Sequence, residues 1–450
     1  MRFYILFVIT VFSLPAYTIG STSNASIDSL LDLHFEVRNK DRVKALAVAN
    51  MALEYSRAAS DMHNMAVSLE CIAYCHYTNG DFESAKSYYI QALAVYSENA
   101  EKTGIASVYN NIGLIEQDQG SFGKALLHFK KALKVDETAV YSVGDSYTLN
   151  NIGTIYLYKG HHQKALSYFE LAMEIAVREN DTEGRINYYN NIGLVYQSVQ
   201  ELRKAEISFN NALRLAKNNN DQFSAAIALI NIGNIFRDKK DFSKAQKTFN
   251  QALEIIDQLD DSDLLTECYM AMADAHQINH NYKESNKIIL KAMKSNELTG
   301  NQRKAGFLLF MTGKNLFYDG YFSPSLDYFR QGLHISKNLG LMPLSAEIYQ
   351  QMAIALAAIT EYDSAARCIS LFGELSAKMS LPEDRLDSLG IEDQDTLQKI
   401  LPQTPQQPKS KVSFSYGKIL TALALFWGLL LAFLFLYRWI KKHKNERNPS

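Results

Sequence analysis

The residues best placed to do chemistry in this 450-residue chain are asparagines. Asn111, Asn151, Asn191 and Asn231 recur at a step of forty, and Asn110, Asn150 and Asn190 stand directly before the first three. Asparagine is a poor helix former, about half a kcal/mol worse than alanine at each site, so its repetition within helical sequence needs a reason. The side-chain amide both donates and accepts, and a row of amides can pair with successive C=O and N–H groups of an extended peptide. The same recurrence would follow if a packing unit had been duplicated and the asparagines served contacts between helices. Both readings stand on the sequence.

Other candidates are weaker. His276 and His280 are spaced as a metal pair on one helix would be, but no H-E-x-x-H and no third ligand accompany them, and His276 falls where a buried core histidine is expected. Adjacent His161 and His162 fall in a turn. Cys71 and Cys75 share one helix face, a poor geometry for a disulfide, and Cys268 and Cys368 are far apart, so four free buried thiols are expected. The chain shows no P-loop, nucleophile elbow, dinucleotide fingerprint or paired-carboxylate context. The expectation is a protein that is not an enzyme and uses no cofactor and no metal.

The elements that position the asparagines follow from a register that does not slip. Taking Gly113 as reference, Ala125, Phe129 and Ala132 complete a set that returns as Gly153, Ala165, Phe169 and Ala172, then at Gly193, and then at Gly233. Ala73, Ala273, Gly313 and Ala353 head further copies, the last with Ala365, Ile369 and Phe372, and a weaker copy runs through Leu33, Ala45, Ala49 and Ala52. That makes nine units of forty residues. Each reads as two helices: apolar spacing marks the first, which ends near Gly120 in the third unit, and a capping residue such as Asp81, Ser121, Asp241 or Asn281 opens the second. The small residues mark the helix crossing, where a larger side chain would push the pair apart at a cost of about 1 to 3 kcal/mol.

On these residues the chain resembles the tetratricopeptide repeat (TPR) family, over roughly residues 26–380. The small residue late in the first helix and the A-x3-F-x2-A pattern in the second carry the resemblance. It departs from the family in its period, forty rather than about thirty-four, and in lacking the proline that often ends a unit. The resemblance implies an all-α solenoid in which the first helices line a concave groove. The asparagines then resemble the ladder by which some TPR superhelices grip a peptide backbone. Asn110, Asn111, Asn150, Asn151, Asn190, Asn191, Asn231, Asn234 and Arg237 are the expected groove residues, with Tyr147, Asn187, Gln197, Asp274 and Lys314 as neighbours.

The flanks differ in kind. Arg2 and the apolar run Phe3 to Leu14, followed by Pro15 and small residues to Gly20, read as a signal peptide over 1–20. Asn24-Ala25-Ser26 is a glycosylation sequon that matters in a eukaryotic host. Four of the eight prolines fall in a linker over 381–415, where Pro402 to Pro408 should be extended and stiff. Ile419 to Tyr437 is nineteen residues without a charge, flanked by Tyr416 and Trp439, and predicts a transmembrane helix over 416–439. A basic tail over 440–450 follows, which places the tail in the cytoplasm and the body in the periplasm or its equivalent, on a single-pass inner membrane anchor.

Charge agrees with this division. Of the formal net charge of −2, Arg2 contributes +1 and the residues from Arg438 onward +4, leaving −7 for the rest. A mildly acidic body is not a nucleic-acid binder. The function expected is that of a membrane-anchored TPR protein holding peptide or protein partners in its groove, as a scaffold or a signal-sensing subunit. The organisation also resembles Bacteroidetes-type sensors, in which a periplasmic TPR array and one transmembrane helix precede a cytoplasmic output domain. The chain given ends eleven residues after Trp439, so that resemblance implies a shortened relative signalling through a separate cytoplasmic partner.

Overall fold

Among the described residues a left-handed backbone residue closes a helix at twenty-residue steps, at Ser60, Gly80, Ala100 and Gly120 and again from Gly160 to Gly340 and Thr360. The computed structural model describes residues 25–38, 41–135 and 142–379. The predicted signal peptide, the Asn24 sequon, the linker, the transmembrane helix and the basic tail lie outside them. Among the described residues no helix is long and apolar enough to cross a membrane.

Among the described residues eighteen helices make nine pairs. The first helices of the pairs are α1 (Ala25–Val37), α3 (Met62–Thr78), α5 (Lys102–Asp118), α7 (Val143–Tyr158), α9 (Thr182–Ser198), α11 (Gln222–Asp238), α13 (Ser262–Ile278), α15 (Gln302–Tyr318) and α17 (Met342–Ala358). Their partners are α2 (Arg42–Ala59), α4 (Phe82–Glu98), α6 (Phe122–Leu133), α8 (His162–Arg178), α10 (Leu202–Asn218), α12 (Phe242–Leu259), α14 (Tyr282–Thr299), α16 (Phe322–Asn338) and α18 (Tyr362–Met379). The forty-residue unit is therefore two near-equal halves, most of them a 17-residue helix with a three-residue turn.

Turn chemistry explains the boundaries. The N–H groups of Gly120 and Ser121 return to the carbonyls of Gln117 and Glu116, closing α5. The side chains of Asp81, Asp241 and Asn281 then accept from the backbone N–H three residues on, as the sequence predicts. Ser121 occupies the same position but makes no side-chain cap bond.

Packing explains the register. A Cβ placed on Gly193 would lie 2.5 Å from Cε1 of Phe209, and the same clash meets Gly113 with Phe129, Gly153 with Phe169, Gly233 with Phe249 and Gly313 with Phe329. Each phenylalanine is fully buried against the bare backbone of its own unit's first helix. The ninth unit departs from this. Ile369 is 60% exposed, with no further helix pair beyond it among the described residues, while Ala365 and Cys368 turn inward.

First helices touch along the array, α5 to α7, α7 to α9 and α9 to α11, and no pair of second helices comes as close among the described residues. The array coils until its later units meet its earlier ones. Arg42 of α2 pairs with Asp263 of α13 and donates to the Thr299 carbonyl, and Arg303 of α15 pairs with Asp118 of α5 and lies 5.5 Å from the Tyr77 ring. Leu339 sits over Gly80, and Pro343 over Gly120. One hydrophobic cluster accordingly joins Ile72, Phe82 and Ile115 to Phe329, Leu341 and Ile348. Arg42 and Asp263 are 221 positions apart, so a turn of the coil takes between five and six units. Burial pulls the Asp263 carboxyl up, but Lys304 and Arg42 outweigh it and hold the group below the usual carboxylate range.

Candidate functional site

Seventeen residues is nearly five helical turns, and forty residues later the same position stands on the next first helix. Asn111 Nδ2 donates to Glu70 Oε2 at 3.2 Å, Asn151 Nδ2 to Asn110 Oδ1 at 3.0 Å, Asn191 Nδ2 to Asn150 Oδ1 at 2.6 Å, and Asn231 Nδ2 to Asn190 Oδ1 at 3.3 Å. Every bond spans 41 residues. The paired asparagines thus have a division of labour. The second of each pair reaches back, and the first receives the reach from the following unit.

This corrects the expected geometry. Asn110, Asn111, Asn150, Asn151, Asn190, Asn191, Asn231, Asn234 and Arg237 do not stand open on a groove, since none keeps more than 5% of its surface exposed. The physical reason is the close approach of successive first helices, which turns the amides toward the neighbouring unit. Asn234 and Arg237 form a network of their own. Arg237 Nη1 donates to Asn234 Oδ1 at 3.0 Å and to Asp274 Oδ2 at 2.7 Å, while its Nε donates to Asp238 Oδ1 at 3.0 Å.

The ladder is nevertheless not self-sufficient. Oδ1 of Asn111, Asn191 and Asn231 is buried and has no partner. Asn151 Oδ1 accepts only a long 3.5 Å contact from Asn150 Nδ2. A buried acceptor left unpaired costs about 1 to 3 kcal/mol, so a row of them is a place where an N–H donor would be favoured.

Glu70 heads the row. It occupies the place of Asn110 one unit earlier, which subtracting forty from the asparagine positions would have found. Its carboxylate receives Tyr96 Oη at 2.8 Å and Ser107 Oγ at 3.0 Å besides Asn111. Burial pushes its pKa up to about 7, against the opposing pull of those three hydrogen bonds. At the other end the row stops because Ile230 and Ala271 are apolar where an amide pair would continue it. A second polar row joins the C-terminal ends of the first helices, with Tyr77 meeting Asp118, Gln197 donating to Asp238 at 2.7 Å, and Gln277 meeting Asn315.

Of the other candidates, all four cysteines are free and buried. His276 is half-buried rather than core, with its pKa lowered by desolvation, and His280 is not on its helix: it sits in the turn after α13, facing the Tyr282 hydroxyl at 2.9 Å. Among the described residues no group of three or more His, Cys, Asp or Glu side chains could hold a metal.

Stacked helical pairs, with a glycine and a phenylalanine locking five of the crossings, define a tetratricopeptide solenoid. Tetratricopeptide repeat signatures match residues 64–138, 145–218 and 226–258, and the chain is a tetratricopeptide repeat protein. Similar solved structures include a Rap protein complexed with competence and sporulation factor, at 16% identity and TM-score 0.54, covering 78% of this chain and 98% of that one. Yeast Tom70 is similar at 18% identity and TM-score 0.52, covering 78% of this chain and 68% of that one. So is the Rap conjugation gene regulator of the plasmid pLS20 in complex with the Phr* peptide, at 13% identity and TM-score 0.50, covering 79% and 98%. At these identities the likeness is one of fold. No curated protein matches the chain in sequence.

Proposed function

We propose that this protein binds an extended peptide, or an unfolded stretch of a partner protein, along the inner row of first helices from α5 to α11. The observation that carries the reading is the row of buried, unpartnered carbonyl oxygens on Asn111, Asn191 and Asn231. Two of the similar folds are described as complexes with a factor or a peptide, which supports a ligand of this size. Because the row is enclosed, loading requires the coil to loosen, and the Arg42–Asp263 and Arg303–Asp118 pairs lie where it would part. The protein scaffolds or senses outside the cytoplasm, held to a membrane by the uncharged segment Ile419 to Tyr437, with signals passing to a separate cytoplasmic partner. The nineteen uncharged residues and the basic cluster after them support that topology.

Two experiments test the reading. Full-length protein in detergent micelles should capture members of a random nonapeptide library, and the Asn111→Ala, Asn191→Ala, Asn231→Ala triple variant should capture fewer. Equal capture by both would sink the row as the site. Protease added to the outside of intact inner-membrane vesicles of known orientation should digest the body from the non-cytoplasmic face alone; digestion from the cytoplasmic face would overturn the topology.

A further inference from the structure

We infer that the ridge formed by α14 and the start of α2 lies on an anionic lipid bilayer, with Leu290, Leu298 and Val43 dipping among headgroups that the α14 lysines bind. The inference rests on the membrane reading above and names the side of the body that faces the membrane.

The three most exposed large hydrophobic side chains among the described residues are Val43 at 83%, Leu298 at 75% and Leu290 at 65%. Single exposed apolar residues are ordinary on a protein surface. These three are gathered at one junction. Arg42 Nη1 donates to the Thr299 carbonyl at 3.0 Å, so the C-terminus of α14 meets the N-terminus of α2 where the coil closes. Val43 and Leu298 are the chain neighbours of those two residues, and Leu290 stands about two turns back along α14.

The charge beside them is of one kind. At 3.6 residues per turn, Lys283, Lys287, Leu290, Lys291, Lys294 and Leu298 fall within an arc of about 100°, and all six are exposed. Four lysines on α14 outnumber two glutamates. Glu284 is held by Lys287 at 2.8 Å, and Glu297 lies at the edge of the arc. Lysines interleaved with leucines on one helix face meet anionic headgroups and the acyl boundary beneath them.

Shape and tether favour a bilayer over a folded partner. Both α14 and α2 are second helices, on the outer side of an array whose first helices touch. An outward ridge has no groove to enclose a peptide, and suits a surface that yields to it. About forty residues separate Met379 from the uncharged segment that begins at Ile419. Extended at about 3.3 Å per residue, that length lets any side of the body reach the bilayer, so the surface itself decides which side does.

Full-length Leu290→Cys protein, labelled there with nitrobenzoxadiazole, is reconstituted into vesicles of phosphatidylcholine alone or mixed with phosphatidylglycerol. The four native cysteines are buried and stay unlabelled. Doxyl-labelled lipid should quench the dye at least twofold in the mixed vesicles and leave it bright in phosphatidylcholine. A dye on Ile207→Cys is the reference: the site is exposed on α10, two units before α14 on a coil of five to six units per turn, and should stay bright in both. Adding Lys283→Glu and Lys294→Glu to the Leu290→Cys protein should cut the quenching at least fivefold, since each lysine near an anionic surface is worth about fivefold in binding. Protein that alkaline carbonate strips from the vesicles has no anchor, which overturns the membrane reading and this inference with it. Protein that stays, with the Leu290 dye bright, quenched no more than the Ile207 dye, quenched equally in phosphatidylcholine or unmoved by the charge reversal, overturns this inference and leaves the anchor standing. Energy transfer between labelled copies without lipid quenching overturns it in favour of a second copy of the chain.

Discussion

Replacing Glu70 by glutamine should make the protein more stable above neutral pH and remove part of its pH dependence. Glu70 is fully buried, and no cation pairs with it among the groups that shift its pKa. Its folded-state pKa rises from 4.5 to about 7. The folded state therefore binds the proton more tightly than the unfolded state, so stability is full below pH 4.5 and falls as the pH climbs toward 7. A shift of that size at about 1.36 kcal/mol per unit corresponds to roughly 3 kcal/mol lost by pH 8. Glutamine keeps an acceptor oxygen for Asn111 and Ser107, and the Tyr96 hydroxyl can turn to accept from its NH2. Urea denaturation of both proteins at intervals from pH 4.5 to 8.5 reads the effect. The two curves should lie close together at the acid end and diverge through pH 5 to 7, with Glu70→Gln the more stable by about 2 to 3 kcal/mol at pH 8. Midpoints are the quantity to compare, because a repeat array need not unfold in one step. Parallel curves across the whole range would refute the reasoning.

Three further outcomes follow from the packing. Gly193→Ala puts a methyl group 2.5 Å from the Phe209 ring and should destabilise the array by about 1 to 3 kcal/mol in the same assay. Thr360→Gly relieves a β-branched residue held at φ 67 and should stabilise by about 1 to 2 kcal/mol, seen as a higher denaturation midpoint. The paired variant Asp118→Asn, Asp263→Asn removes the Arg42–Asp263 and Arg303–Asp118 ion pairs; small-angle scattering should show a larger radius of gyration with unchanged far-ultraviolet helicity, and an unchanged radius would mean that the remaining inter-turn contacts, Arg42 to the Thr299 carbonyl, Arg303 on Tyr77 and the apolar contacts of Leu339 and Pro343, suffice to close the coil.

The repeat was legible in the sequence because its marks are steric. Gly113, Ala125, Phe129 and Ala132 leave little choice of residue, and they recur without slippage. The twenty-residue half-period was hidden, because a left-handed residue need not be glycine: Ala100, Gln200, Lys240 and Thr360 do the same work as Gly80 and Gly120. The asparagines were legible as a recurrence, and their burial was not. Their partners lie 41 residues away, and that offset of one from the period appears only once the helices are set side by side. Glu70 escaped notice because it is a different residue type, although it stands in register. The inter-turn pairs had no local signal, since Arg42 and Asp263 are unremarkable surface-type residues until the coil has closed one turn. The exposed Ile369 shows the converse, a core-type residue in the right register that lies on the last described helix.

The most direct test of a ligand site on the inner row is photocrosslinking. A nonapeptide captured from the random library, carrying a central benzophenone, is bound to the full-length protein in micelles, irradiated and digested, and the adducts are mapped by mass spectrometry. The account predicts adducts on α5, α7, α9 and α11, suppressed by excess unlabelled peptide. Adducts confined to the outer faces of the second helices, around the exposed Ile90, Ile207 and Leu290, would contradict it.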